Sequence, residues 1–331
     1  MATAVSPLEL INADDDLRLA MIREVQRGLL PQPRSLPAWM FYDALGSRLF
    51  ERITHLAEYY PTRTERGIFS GYADSIVQRA CGESTKPLRI VELGAGTASK
   101  TGILLDAAAH MQGRVEYIPV DVSETALDAA CASLEQSLAD VKVKPVIANY
   151  VSAPIRLAPH DGPTLALYIG SSIGNFAPEE QRTILRNLKA ELRAGDALLL
   201  GVDMVKERQV MEAAYRDAEG VTEAFNLNIL RRINKELAAN FDLACFRHVA
   251  FWNEEESRIE MHLEATAPQH IRIAAARLSL GLAKGERIHT ENSYKFTEDS
   301  LLSLLEDSGY FTEETWTDER GWFSVTLGRV V

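Results

Sequence analysis

The stretch LRIVELGAGTASKTG, residues 88–102, decides the fold. Leu88, Ile90 and Val91 make the short apolar run that a buried strand needs. Glu92 closes the run, Gly94 and Gly96 permit a tight turn, and Thr97 or Ser99 stands where a helix cap is wanted. The spacing predicts a strand over 88–92 and a helix over 98–110. A strand that passes through glycines into a helix aims backbone N–H groups at an anion or a nucleotide. Several cofactor classes use that turn, and GAGTAS is an incomplete dinucleotide fingerprint, with Ser99 where a third glycine would stand.

The pattern repeats downstream. Residues 115–121 (VEYIPVD) read as a second strand, followed by a helix capped by Ser123 with Glu124 in its first turn. KPVIANY reads as a third strand, TLALYIG (164–170) as a fourth and ALLLGVD (197–203) as a fifth. Between the last two, a helix opens on Pro178, Glu179 and Glu180. It carries an apolar stripe of Ile184, Leu185, Leu188 and Leu192, and Gly195 stops it. Short apolar strands alternating with helices predict a doubly wound parallel sheet covered on both faces. Upstream, residues 14–30 and 40–55 read as helices, separated by the Pro-rich loop PQPRSLP, and EYYPTRTE turns into another helix. The alternation breaks near residue 206. Helices dominate 206–240, RIEMHLEA and HIRIAA read as antiparallel strands, and the chain closes with a helix (EDSLLSLLEDSG) and a hairpin, YFTEETWT to WFSVTLGRV.

Composition narrows the function. A net charge of −12 repels phosphate backbones, so no nucleic-acid partner is expected. Cys81, Cys131 and Cys245 are too few and scattered for a disulfide framework or zinc site, and read as buried thiols of a reducing cytosol. The N-terminus lacks the basic start and apolar run of a secretory signal, and no stretch is long enough to span a bilayer. A cytoplasmic protein with no membrane partner follows. None of the seven histidines sits at metal-ligand spacing, so no metal is expected. His262 and His270 read as strand residues.

Asp121 ends the second strand, where a carboxylate accepts ribose hydroxyls. That serves NAD and S-adenosylmethionine alike. Asn149 and Tyr150 end the third strand, where methyltransferases contact adenine. A nucleotide-binding sheet that ends in a hairpin is the layout of class I methyltransferases, and an acidic cleft of Glu92 and Asp121 suits a sulfonium cation. These features tip the choice to S-adenosylmethionine. In the acceptor loop GSSIGNF (170–176), Asn175 offers a carbonyl and an amide to a small polar ligand. The loop lacks the Pro-Pro pair of DNA amino-methyltransferases.

Six blocks in order then carry a resemblance along nearly the whole chain, from about residue 15 to the end. They are FYDALGSRLFERITHLAEYYPTRTE, VELGAGTASKT, GSSIGNF, AYRDAEGVTEAFNLNIL, SRIEMHLEA and ENSYKF. The sequence resembles the histidine-specific Nα-methyltransferases of ergothioneine biosynthesis. These convert histidine to hercynine, its trimethylated form, with three S-adenosylmethionines.

The resemblance implies a class I, Rossmann-like α/β methyltransferase domain over 64–205 and 296–331. It also implies an α+β substrate-binding lobe over 1–63 and 206–295. It implies L-histidine and its mono- and dimethylated forms as substrates; a monomer is expected. Tyr42 and Tyr59 match tyrosines near the substrate amine and ring. Asn175 and Tyr215 match the carboxylate holders, with Gly170 and Ser172 in the same acceptor loop. Phe225 and Met261 match the side-chain pocket, and Glu291 and Ser293 the imidazole partners. Glu92, Gly94, Gly96, Lys100, Asp121, Asn149 and Tyr150 fall to the cofactor. Two positions depart from the pattern: Asn149, where Asp is expected, and Asn292, where an apolar residue is common. Taken singly, Tyr42, Tyr59 and Met261 would read as core and Glu291 as a solvated loop carboxylate. An N-methyltransferase acting on another aromatic amino acid, such as tryptophan, is the alternative. Glu291 argues against it, because an indole offers one donor and no acceptor.

Overall fold

The computed structural model describes residues 13–331, apart from 97, 99, 122–123, 149 and 151–154; a few more, including 13–16 and 124–126, are described by backbone alone. The chain forms two compact units. The first is Met1–Glu58, Met211–Asn253 and Ile259–Asn292; the second is Tyr59–Val210, Glu254–Arg258 and Ser293–Val331. These boundaries differ from the expected ones by a few residues. The helix Tyr60–Cys81 starts just before PTRTE and carries that segment into the second unit.

The second unit is built on β1 (Arg89–Leu93), β2 (Val115–Asp121), β3 (Val141–Val143), β4 (Thr164–Tyr168), β5 (Ala197–Asp203), β6 (Tyr310–Thr317) and β7 (Phe323–Val330). Across the sheet the order is β6-β7-β5-β4-β1-β2-β3. Neighbours from β5 to β3 run parallel. β7 lies antiparallel to both β5 and β6. This is the expected class I methyltransferase sheet. Alternation along the strands fills both faces. Ile90, Tyr117, Leu165 and Leu199 pack with Phe69 and Leu104 on one side. Val91, Ile118, Ala166 and Leu198 pack with Ile184, Leu185 and Leu304 on the other. Each such aliphatic, fully buried, contributes about 1.5–3 kcal/mol. The strand order reverses between β1 and β4, and such switch points open a ligand crevice at the carboxyl ends of the strands.

The first unit contains a four-stranded sheet in the order Arg34–Ser35, Arg287–Tyr294, Arg258–Ala265, Phe246–Asn253. A separate hairpin pairs Gln269–Ile273 with Leu278–Leu282. The helices Ala13–Leu29, Ala44–Thr54 and Val221–Leu237 complete it.

Several expectations change. RIEMHLEA and HIRIAA are both strands, in different sheets, the second paired antiparallel with Leu278–Leu282. The third strand of the large sheet is Val141–Val143, ahead of KPVIANY; Pro145 has no N–H for a continuous ladder, and beyond it Val146–Ile147 pairs with Val120 and Asp121. The helix after the glycine turn starts at Thr101 with Lys100 at its N-cap position. The proposed caps Thr97, Ser99 and Ser123 lie outside the described residues. The helix opened by Pro178 ends at Lys189, short of Leu192. Of the cysteines only Cys81 is buried; Cys131 and Cys245 are partly exposed.

Candidate active site

The glycine turn is stitched to the end of β2. The N–H groups of Gly94 and Ala95 donate to the Val120 carbonyl at 2.8 and 3.3 Å. The Gly96 N–H donates to Asp121 Oδ2 at 3.0 Å. Gly94 and Gly96 have φ of +69° and +51°, the left-handed region that glycine enters without strain. A Cβ on Gly94 would stand 2.8 Å from the Tyr150 hydroxyl. Gly94, Gly96, Asp121 and Tyr150 are therefore brought together. The Tyr150 ring meets Tyr168 edge-on at 5.9 Å. Asn149 lies outside the described residues.

Glu92 occupies a different place from the one expected. It is 2% exposed, and its oxygens accept from the Thr101 hydroxyl at 2.8 Å and from the Tyr117 hydroxyl. Burial pushes its carboxyl up to about 7, against the hydrogen bonds of Tyr117 and Thr101 and the charge of Lys100. Glu92 thus ties β1, β2 and the first helical turn together from beneath, rather than lining an open acidic cleft.

Sequence reading overlooked Glu65, in the quoted PTRTE. Its side chain is fully buried on the helix Tyr60–Cys81 and accepts from the Lys100 ammonium. It also accepts the Gly170 N–H, at 2.8 Å on one oxygen and 3.1 Å on the other. One carboxylate so joins the lysine after the glycine turn to the first residue of the acceptor loop. A Cβ on Gly201 would lie 2.2 Å from Glu65 Oε1, which explains a glycine inside β5. The signal was a charged residue one turn into a helix that also buries apolar residues, which spacing alone does not distinguish from a solvated position.

The acceptor loop turns at Gly170 and Ser171, with φ of +78° and +58°. Ser171 Oγ accepts the Asp203 N–H at 2.9 Å, and Ser172 Oγ donates to the Ile169 carbonyl at 3.1 Å. A short 3-10 turn, Ser172–Asn175, leaves Asn175 half-buried. A Cβ on Gly174 would meet the Tyr294 carbonyl at 2.7 Å, so this turn is pressed against the backbone that follows Ser293. Tyr59 is half-buried at the N-cap position of its helix. Its neighbour Tyr60 donates to Asp203 at 2.8–2.9 Å. Lys206 and Lys295 reach the same carboxylate at 2.5 and 2.7 Å, and Lys295 donates to Ser293 Oγ at 3.0 Å. Burial pushes Asp203 up, but the two lysines outweigh it and hold the carboxyl low. Burial also drives Lys206 down to about 8, against the pull of Asp203. Sequence reading missed this network, because its members come from three separate segments.

In the first unit Tyr42 and Phe225 meet edge-on, with ring centroids 5.8 Å apart; Phe41 stacks on Phe225 at 4.5 Å, and Phe50 adds an edge to Tyr42 at 5.8 Å. Asp43 caps the helix after Tyr42 through the Gly46 N–H at 2.7 Å. Tyr215 is buried, and its carbonyl lies 2.8 Å from His248 Nε2. Asp217, two residues on, accepts the Val221 and Thr222 N–H groups at 2.8 Å and so starts the helix that carries Phe225. The Met261 carbonyl accepts from Thr290, whose hydroxyl also reaches Asn226. Glu291 follows Thr290 and is 9% exposed, which excludes a solvated loop position.

A model of histidine-specific, S-adenosylmethionine-dependent methyltransferases matches residues 21–330. A "Histidine N-alpha-methyltransferase" of Mycolicibacterium smegmatis is 42% identical over 95% of this chain and 96% of its own length. Its namesake in Mycobacterium tuberculosis is 39% identical over the same shares. An "L-tryptophan methyltransferase" of Psilocybe serbica is 25% identical over 95% of this chain and 93% of its own. The chain belongs to the family of histidine-specific, S-adenosylmethionine-dependent methyltransferases.

Proposed function

We propose that the chain trimethylates the α-amino group of free L-histidine, giving hercynine and opening ergothioneine biosynthesis. The observation that carries this reading is family membership along nearly the whole chain, at 42% identity to a named histidine Nα-methyltransferase. The roles of individual residues rest on the motif matches together with the local geometry.

S-adenosylmethionine supplies an electrophilic methyl group on a sulfonium. The residues at the carboxyl ends of β1 and β2 fit it. Gly94 leaves a cradle that a Cβ would fill, Asp121 is held at the turn by the Gly96 N–H, and Lys100 sits beside Gly170. We assign Gly94, Gly96, Lys100, Asp121, Asn149 and Tyr150 to the cofactor, with Glu92 as the anchor beneath them.

Methyl transfer is an in-line displacement, so catalysis is mostly positioning of the amine. The nucleophile is the neutral amine, and a free α-amino group has a pKa of about 8 to 9, slightly above the isolated terminal value. Each transfer forms one N–C bond as the methyl's bond to sulfur breaks and the sulfur leaves as a neutral thioether, and the amine sheds one proton before the next. Tyr59 and Tyr42 orient the amine and relay its protons. Asn175 and Tyr215 hold the carboxylate, with Gly170 and Ser172 shaping the loop; without a bidentate arginine clamp, the amine is left free to rotate between rounds. Phe225 and Met261 line the side-chain pocket. Tyrosine faces receive the quaternary ammonium product with about 1–2 kcal/mol of cation–π attraction when desolvated. Glu291 accepts the imidazole N–H and Ser293 serves the other ring nitrogen, so an analogue without both leaves buried polar groups unpaired.

We place the reaction in the cytosol, on a free amino acid, in a monomer without a nucleic-acid partner. The net charge of −12 argues against a nucleic-acid partner. No described helix is long and apolar enough to cross a membrane. The test is mass spectrometry of each of the twenty amino acids after incubation with the protein and S-adenosylmethionine. Histidine alone gains three methyl groups. Methylated tryptophan beside unmodified histidine would overturn the assignment.

A further inference from the structure

The small sheet of the first unit gathers three ligating side chains that the reaction does not use. Glu260 and His262 alternate on the strand Arg258–Ala265 and so share a face. His289 comes from the adjacent strand Arg287–Tyr294. One ligand atom from each residue lies within 4.8 Å of the other two. His262 Nε2 is 2.9 Å from Glu260 Oε2, and the two imidazole rings are 4.9 Å apart. We infer that Glu260, His262 and His289 form a binding site for a divalent transition-metal ion of borderline softness, of which zinc is the type.

The donor chemistry fits that class. Two imidazoles and one carboxylate suit zinc, nickel, cobalt and copper better than magnesium or calcium, which prefer oxygen. The surroundings hold the ligands as a metal site requires. His262 lies flat on Phe251, the rings 5.3 Å apart and 9° from parallel, so its ring plane is fixed. The His262 side chain is 12% exposed, and its Nδ1 is buried without a hydrogen-bond partner among the described residues. His289 Nε2 is 2.8 Å from Asn292 Oδ1. An amide oxygen only accepts, so the proton sits on Nε2 and the Nδ1 lone pair is the ligand. Asn253 Nδ2 donates to Glu260 Oε1 at 2.8 Å and orients the carboxylate. With three protein ligands, further coordination positions are left for water or a small anion. Arg287 is the nearby opposing charge. Its guanidinium is engaged by Glu264 at 2.8 Å and lies over the Phe251 ring at 5.9 Å, so it weakens the site without filling it.

Spacing does not reveal this cluster, since 26 residues separate His262 from His289 and sheet pairing brings them together.

The test uses chelator-treated full-length protein without histidine, which would itself bind the metal. Cobalt(II) is titrated by its visible d–d absorption and zinc(II) by calorimetry. One equivalent binds, and His262→Ala and His289→Ala each weaken it by at least about 30-fold while circular dichroism and Tm without metal stay at the wild-type values. Glu260→Gln weakens it less, and His270→Ala, on the separate hairpin, leaves it unchanged. Unaltered binding in both histidine variants, no stoichiometric binding by the wild type, or a thiolate charge-transfer band that places cobalt on a cysteine would each overturn the inference. If a histidine variant misfolds, Asn292→Ala reads the same site through the orientation of His289, and weakens binding roughly 10-fold.

Discussion

The two units differ in how their functional residues are spread along the chain. In the second, Gly94, Gly96, Lys100 and Asp121 fall within one strand–turn–helix–strand passage; hydrogen bonds inside that passage join Gly94, Gly96 and the end of β2, and Glu65 holds Lys100. In the first, Tyr42, Tyr215, Phe225, Met261 and Glu291 come from three separated segments, and what joins them is packing between those segments. The first kind of site is written in spacing and the second in tertiary structure. The cofactor end should therefore respond to backbone and electrostatic changes, and the first unit to the loss of single side chains.

The largest expected effect lies in the first unit. Glu291 is 9% exposed, and if it accepts the imidazole N–H as proposed, removing its carboxylate leaves that donor unpaired in a dry place. Glu291→Ala is expected to raise the histidine KM roughly 100-fold, the equivalent of about 3 kcal/mol. The S-adenosylmethionine KM should stay within about twofold. Steady-state kinetics with each substrate varied in turn reads the split, and equal rises in both constants would remove the contrast between the units.

The next effect concerns what lies under the glycine turn. Burial raises the Glu92 carboxyl from its ordinary value of 4.5 to about 7. A raised carboxyl favours the protonated folded state, so its stabilisation is complete below pH 4.5 and is lost as pH climbs through 7. Wild-type stability should fall between pH 5 and 8 relative to Glu92→Gln, by on the order of 2–3 kcal/mol. Urea unfolding of both proteins across that range measures the difference. Parallel curves would show that Glu92 is solvated, and would return it to an open cleft.

These residues also show where reading the chain stops. The sheet was legible because its strands are short apolar runs with breakers between them, and β2 and β5 match the expected spans residue for residue. At the third strand the run KPVIANY was taken whole, whereas the ladder occupies Val141–Val143 before it and, past Pro145, Val146–Ile147. ENS was read as a motif without a secondary structure; its residues lie on a strand of near-continuous burial, where no alternation marks a face. Glu65 and Asp203 were invisible for a related reason. A fully buried carboxylate looks in sequence like any surface acid until its lysine partners are in place.

Glu65 offers a smaller, sharper test of the cofactor end. Glu65→Gln keeps an oxygen for the Gly170 N–H but removes the anion that orients Lys100. The S-adenosylmethionine KM should rise roughly 10-fold, about 1.5 kcal/mol, with the histidine KM changed less than threefold. A larger effect on histidine would mean that Glu65 acts chiefly through the acceptor loop.

The smallest effect separates backbone from side chain at a single position. Gly94→Ala forces an L-residue to φ +69° and sets its Cβ 2.8 Å from the Tyr150 hydroxyl. The first cost is intrinsic to the backbone, about 1 kcal/mol, and the second depends on a neighbour that can be changed. Tyr150→Phe deletes the hydroxyl and leaves ring carbon Cζ 3.8 Å from the new Cβ, an ordinary contact. The single variant should raise the S-adenosylmethionine KM about 10-fold. Combined with Tyr150→Phe, and referred to Tyr150→Phe alone, the same glycine change should raise it only about fivefold, the part that φ alone costs. Equal effects of Gly94→Ala in both backgrounds would show that Tyr150 stands clear of the turn when the cofactor is bound, and its place beside the adenine would have to be given up.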